Sequence, residues 1–155
     1  MTALLIVAHA PLASALLAAA SHVYADRMDA VAALDIGPQD SAEQAEAAVR
    51  AALARLATPG AGGGTLVLTD VFGATPCRAA QAAAAGAPRV RLVAGVNVPM
   101  LWRVLCYAGE LPLDALVERA VSGAQQGVLP VAVARRQNQA GRGLVDDQVH
   151  HHDQQ

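Results

Sequence analysis

The fold of this chain turns on the stretch Leu4-Leu5-Ile6-Val7-Ala8-His9-Ala10-Pro11. Four branched apolar residues run without alternation, the pattern of a strand covered on both faces rather than one. The run stops at a histidine and a proline. In open parallel sheets ligands sit outside the carboxyl ends of the strands, so a strand ending in His9 sets its ring where chemistry is expected. The remaining sequence must then supply helices for both faces and a partner for the ring.

It supplies the helices in alternation with further strands. Pro11 to Val23 has helical spacing through Leu12, Leu16 and Ala19/Ala20, with Pro11 suited to a first turn. Ala30 to Ile36 is a second strand, broken by Gly37-Pro38. Ser41-Ala42-Glu43-Gln44 matches a capping box, and the helix it opens carries Ala45, Ala48, Val49, Ala52, Leu53 and Leu56 on one face, ending near Thr58-Pro59-Gly60. After a flexible connection, Ala61-Gly64, Thr65 to Thr69 is the third strand and Asp70 stands at its end. A turn leads to Thr75 as N-cap and Pro76 as first helical residue, with an alanine-rich helix to about Ala85, stopped by Gly86 and Pro88. Val90 to Ala94 is the fourth strand; helices from Pro99 to Gly109 and from Leu111 to Gly123 follow, then a last strand, Val128 to Ala134. Alternating strands and helices predict a three-layer α/β domain. Its sheet is mainly parallel, in the order 2-1-3-4, with helices on both faces. The last strand is expected antiparallel on an edge or paired with a neighbouring subunit. One domain covers residues 1–134, and a flexible polar, glutamine-rich tail covers 135–155.

Composition narrows the function classes. Hydrophobic residues make up 54% of the 155 but aromatics only 3%, so the core is built of Ala, Val and Leu. All 11 cations are Arg, against 13 carboxylates. No basic stripe or aromatic platform is present, which argues against nucleic acid as a partner. No apolar run approaches the roughly 20 residues of a membrane span, and the N-terminus lacks a signal-peptide pattern. A cytoplasmic location is the expectation. Cys77 and Cys106 have no metal-ligand spacing and are read as reduced thiols.

Two strand ends carry polar residues, His9 and Asp70, and in the order 2-1-3-4 the first and third strands are neighbours. An Asp accepting from one imidazole nitrogen fixes the tautomer and leaves the other lone pair free to attack. Beside them Gly73-Ala74-Thr75-Pro76 opens a helix, whose free N–H groups and threonine hydroxyl form an anion site. Nucleophilic ring, orienting carboxylate and phosphate cradle together describe a phosphohistidine site. Each piece alone has a plainer meaning: a structural histidine, a turn aspartate, a helix cap. Their joint placement favours the chemical one. Cys77 falls inside the helix and is read as packing; His22 sits near a helix C-terminus, where a cation is favourable; His150-His151-His152 is read as a solvated tail segment.

Three segments resemble a known family. They are L-L-I-V-A-H-A (4–10), L-T-D-V-F-G-A-T-P (68–76) and V-A-G-V-N-V-P-M-L (93–101), in the family's order and spacing. The chain resembles the mannose-family IIA component of the bacterial phosphoenolpyruvate-dependent sugar phosphotransferase system over about residues 2–134. The resemblance implies that His9 accepts a phosphoryl group from the phosphocarrier protein HPr and passes it to a IIB component for sugar uptake. It implies that Asp70 holds the imidazole, that Gly73, Ala74 and Thr75 cradle the phosphoryl group, and that no metal or organic cofactor is needed. It further implies a homodimer in which the last strand crosses to the partner, and at most a peripheral association with a membrane permease. The segment Val96, Asn97, Pro99 and Met100 is expected to form an apolar docking rim. The residues around the histidine depart from the family: Ala8 and Ala10 stand where Thr and Gly are common, which removes a possible hydroxyl contact. Other readings are a stand-alone regulatory IIA, a His/Asp hydrolase using Thr75 or Cys77, a phospho-aspartate receiver on Asp70, and a non-catalytic binding module. The receiver needs further carboxylates at the end of the first strand, where His9 stands instead.

Overall fold

The computed structural model describes residues 1–57 and 63–133. Its elements are β1 (Ala3–His9), α1 (Leu12–Ser21), a 3-10 turn (Ala25–Ala30), β2 (Val31–Ile36), α2 (Ala42–Leu56), β3 (Thr65–Thr69), α3 (Thr75–Ala83), β4 (Val90–Ala94), α4 (Val98–Tyr107) and α5 (Leu113–Gln126). The four strands form one parallel sheet in the order β2-β1-β3-β4, as the alternation predicts. Leu5 lies in register with Ala32 on one side and Val67 on the other.

The unbroken apolar run of β1 is explained by its two faces. Leu4, Ile6 and Ala8 pack against α1, α4 and α5, while Leu5 and Val7 pack against α2 and α3. All five are 2% exposed or less. Small helix residues at these seams, Ala13 and Ala20 in α1 and Ala79 and Ala80 in α3, let the helices approach the sheet closely. The capping box at Ser41 is formed in full: the serine hydroxyl accepts from the Gln44 N–H, and the Gln44 side chain accepts from the Ser41 N–H at 2.8 Å.

Several local expectations are corrected. Leu12 is 40% exposed, and Ala13 takes the inward position in α1. Pro11 is the residue before the helix rather than inside it. Ala30, expected as the first residue of the second strand, instead ends the 3-10 turn, which is fastened by Arg27 donating to the carbonyls of Leu105 and Cys106 at 2.8 and 3.1 Å. Val128 to Val133 forms no strand within this chain: Val128, Leu129, Val131 and Val133 are 73–89% exposed. A strand needs a ladder partner for its backbone groups, and no segment of the described residues lies beside it. The helix end at 58–60, Ala134, the tail 135–155 and His150–His152 lie outside the described residues. No helix among the described residues is long and apolar enough to cross a membrane.

Candidate functional site

The site stands at the carboxyl ends of β1 and β3, where the switch in strand order opens the sheet. Alternation along β1 assigns Leu5 and Val7 to the α2/α3 face, and His9 is the next residue of that set. Its Nδ1 lies 2.6 Å from Oδ2 of Asp70. The same oxygen accepts from the His9 backbone N–H at 2.9 Å, and Oδ1 accepts from the Val71 N–H at 2.8 Å. The imidazole is half open to solvent, at 53%, while the Asp70 side chain is only 8% exposed.

Burial, the largest single influence on Asp70, pushes its carboxyl upward. The hydrogen bonds from the His9 backbone and ring and from the Val71 N–H, with the attraction of the His9 charge, together outweigh it. The carboxyl lies below its ordinary value of 3.8. An ionised carboxylate can only accept, so the contact at Nδ1 requires the proton on that nitrogen. Nε2 then carries the free lone pair, on a ring that is half open to solvent.

The turn after Asp70 is held from two directions. The Ala74 N–H donates to the Val71 carbonyl at 3.2 Å, while Gly95 and Val96 after β4 donate to the carbonyls of Asp70 and Thr69 at 2.7 and 2.9 Å. Gly73 and Gly95 adopt φ of 81° and 90°, which residues with a Cβ rarely take. The Thr69 side chain lies directly before this turn, fully buried, with its hydroxyl lacking a hydrogen-bond partner.

Two helices begin beside His9, and they differ. The start of α1 is closed: Oδ1 of Asp35 accepts from the N–H groups of Ala13 and Ser14 at 2.8 and 3.2 Å. The start of α3 is open, with no side-chain cap and no acidic residue in its first turn. Pro76 has no N–H, so Thr75 and Cys77 supply the amides that lack intrahelical acceptors there. The capping residue is Ala74, not Thr75; Thr75 is the first helical residue, exposed at the mouth.

His9, Asp70, Gly73, Ala74 and Thr75 are thus gathered at one end of the sheet. Of the expected docking rim, Val96, Asn97 and Pro99 are partly exposed and Met100 is not. Met100 is 1% exposed and belongs to the core. Asn97 caps α4, accepting from the Met100 N–H at 2.8 Å, and its amide donates to the Ala124 carbonyl at 3.4 Å. Pro99 packs on Gly127, and Val96 packs on the core under α4. Exposed apolar side chains at this end include Phe72 at 78%, Val71 at 58% and Leu12 at 40%. Cys77 is buried at 3%, as a packing residue. No group of three metal-ligating side chains occurs among the described residues. Asp35 was invisible as a cap in the sequence, although a lone carboxylate in the apolar run of Val31–Ile36 signals that donors must lie nearby.

Comparison with known proteins follows the same geometry. The sequence model of the family described as EIIA-man, PTS system fructose IIA component, matches residues 3–121. The PTS system mannose-specific EIIAB component of Escherichia coli (strain K12) is 34% identical over 96 residues. That alignment takes in 61% of this chain but 29% of the relative, so the chain corresponds to under a third of that protein. Among solved structures, the mannose/sorbose specific IIA subunit of the phosphotransferase system from Enterococcus faecalis superposes with a TM-score of 0.70 at 27% identity, covering 86% of this chain and 97% of that one. Phosphotransferase system component EIIA from Streptococcus agalactiae shares the fold, with a TM-score of 0.70 at 23% identity over 84% of this chain and 97% of its own.

Proposed function

The chain belongs to the EIIA-man family of phosphotransferase-system IIA components, and on that premise we propose that it is a cytoplasmic phosphoryl carrier whose acceptor is His9. The donor is the phosphohistidine of HPr, and the next acceptor is a IIB component. The observation that carries this reading is the 2.6 Å contact between Nδ1 of His9 and Asp70, which leaves the Nε2 lone pair free on a half-exposed ring.

The step balances without an external acid or base. The Nε2 lone pair attacks phosphorus as the donor P–N bond breaks, and the donor ring leaves with that electron pair. The Nδ1 proton stays where it is, and the positive charge the ring gains is held against the Asp70 carboxylate. Passing the group on reverses these roles. The transition state is loose, so positioning and charge stabilisation supply most of the acceleration. The open first turn of α3, with the Thr75 hydroxyl, is suited to the phosphoryl oxygens; the closed start of α1 is not. Phe72 and Val71 supply the most exposed apolar surface for docking proteins, beside the partly exposed Val96 and Pro99. A homodimer through Val128–Val133 is supported by the exposed apolar side chains of that segment and by the outer edge of β4, which among the described residues pairs with β3 alone.

The test is to incubate the protein with phosphoenolpyruvate, enzyme I and HPr and to locate the label by mass spectrometry. One acid-labile phosphoryl group on His9 is expected, absent from His9→Ala. Label that persists in that variant, or resists acid, would sink the assignment.

A further inference from the structure

The cleft between α2 and α3 runs over β1. Leu5 and Val7 of that strand pack against Ala45 and Val49 on one side and Ala79 and Ala80 on the other. Both helices start at the carboxyl end of the sheet, and their first turns enclose a shallow groove lined by Ala42, Glu46, Thr75, Arg78, Ala79 and Ala82. The strand beneath this groove ends in His9.

Arg78 is out of place by ordinary helix electrostatics. It stands in the fourth position of α3, near the positive end of the helix dipole, where a cation is unfavourable and an anion favourable. Its side chain is exposed and makes no ion pair or hydrogen bond among the described residues. The carboxylate across the groove does not relieve it, because Glu46 holds Arg50 on its own helix. Helical side chains tilt toward the N-terminus. The long Arg78 stem therefore leans past Thr75, one turn earlier on the same face, toward the mouth of the cleft. Of the Arg residues in the described chain, Arg27, Arg91 and Arg119 are engaged elsewhere by carbonyls, Asp114 and Tyr107.

We infer that Arg78 contacts the phosphoryl group itself as it passes onto Nε2 of His9. An incoming dianion supplies the negative charge that the α3 N-terminus and Arg78 both lack, and the guanidinium fork matches two of its oxygens. The bonds made and broken are those of the histidine-to-histidine step, with no proton moved; Arg78 only stabilises charge. This inference rests on the reading of His9 as the acceptor.

The experiment is rapid-quench transfer from phosphorylated HPr to the full chain, comparing wild type with Arg78→Gln and Arg78→Lys over a range of donor and salt concentrations. Arg78→Gln is expected to lower kcat about tenfold with KM nearly unchanged. Arg78→Lys is expected to restore part of that loss, since it keeps the charge but not the fork. The 31P resonance of the isolated phosphoprotein should also shift in Arg78→Gln, where no donor is present. Loss of the charge at an unfavourable helix position should leave the melting temperature at or above wild type, which separates a chemical effect from unfolding. Unchanged kcat in Arg78→Gln overturns the inference. So does a rise in KM alone with a flattened salt dependence, which would place Arg78 on the partner protein's surface instead. If the wild type takes no phosphoryl group, the acceptor reading itself has failed; if wild type and Arg78→Gln transfer equally, only the role of Arg78 has.

Discussion

Oδ2 of Asp70 holds both the ring and the backbone N–H of His9, so this one side chain sets the orientation of the proposed acceptor ring and the end of the strand that carries it. Asp70→Ala should keep the fold but slow phosphoryl transfer at least about a hundredfold, because Nδ1 loses the partner that fixes its proton; unchanged single-turnover rates would reduce Asp70 to a turn residue. Its pH dependence has a definite sign. The folded carboxyl lies below 3.8, so its contribution to stability is complete above about pH 4 and is lost as pH falls through the lower folded value. Urea unfolding of wild type and Asp70→Asn should therefore differ most at neutral pH and converge as pH falls through the lowered folded value. Thr69 sits directly before it with a buried hydroxyl that has no partner. Thr69→Val keeps the shape and removes the unsatisfied group, and should hold or raise stability by about 1 kcal/mol, read as a shift in the urea midpoint. His9 and Asp70 were legible because each ends an apolar run at a turn. Met100 was misplaced because an apolar residue after a strand reads equally well as rim or core, and only the packing of α4 settles it.

Among the elements, those with local signals were readable and those fixed across the sheet were not. Ser41 and Gln44 are three residues apart, and their reciprocal bonds formed as the pattern implied. Ser41→Ala should cost about 1 kcal/mol and lower the melting temperature without changing transfer. The start of α1 is different. Pro11 offers no capping side chain, and the carboxylate that serves instead comes from Asp35 on β2. Asp35→Ala should destabilise by about 1–2 kcal/mol by leaving two helix N–H groups bare, with Asp35→Asn milder because it keeps an acceptor oxygen; equal losses in chemical denaturation would mean that the charge rather than the cap matters. The start of α3 fell one residue earlier than a cap at Thr75 implies. Ala74 is extended, at φ −76° and ψ 169°, with its N–H already given to Val71, so the turn sets where the helix begins and overrides the preference of Thr for the cap. The 3-10 turn at Ala25–Ala30 is likewise anchored by carbonyls of α4, far along the chain, which local spacing does not show.

For the whole molecule, the sheet order was legible because every crossover has a helix long enough to return the chain to a parallel neighbour. For Val128–Val133 the β-forming residues describe a propensity and not a partner, and of the two pairings expected for it the one within this chain is not formed. Removing residues 128–155 should leave the α/β core folded and shift a dimer toward monomer in sedimentation velocity; an unchanged oligomeric state would remove this segment from the interface. The clamp at Asp70 also bears on the order in which proteins visit the site. A ring fixed at its backbone and at Nδ1 by one oxygen cannot swing from one visitor toward another. On the proposed function, donor and recipient would therefore approach Nε2 along the same lane, one leaving before the next arrives. Steady-state relay through this protein should then follow ping-pong kinetics, with parallel double-reciprocal lines. Unphosphorylated recipient protein should act as a competitive inhibitor of the phosphorylated donor.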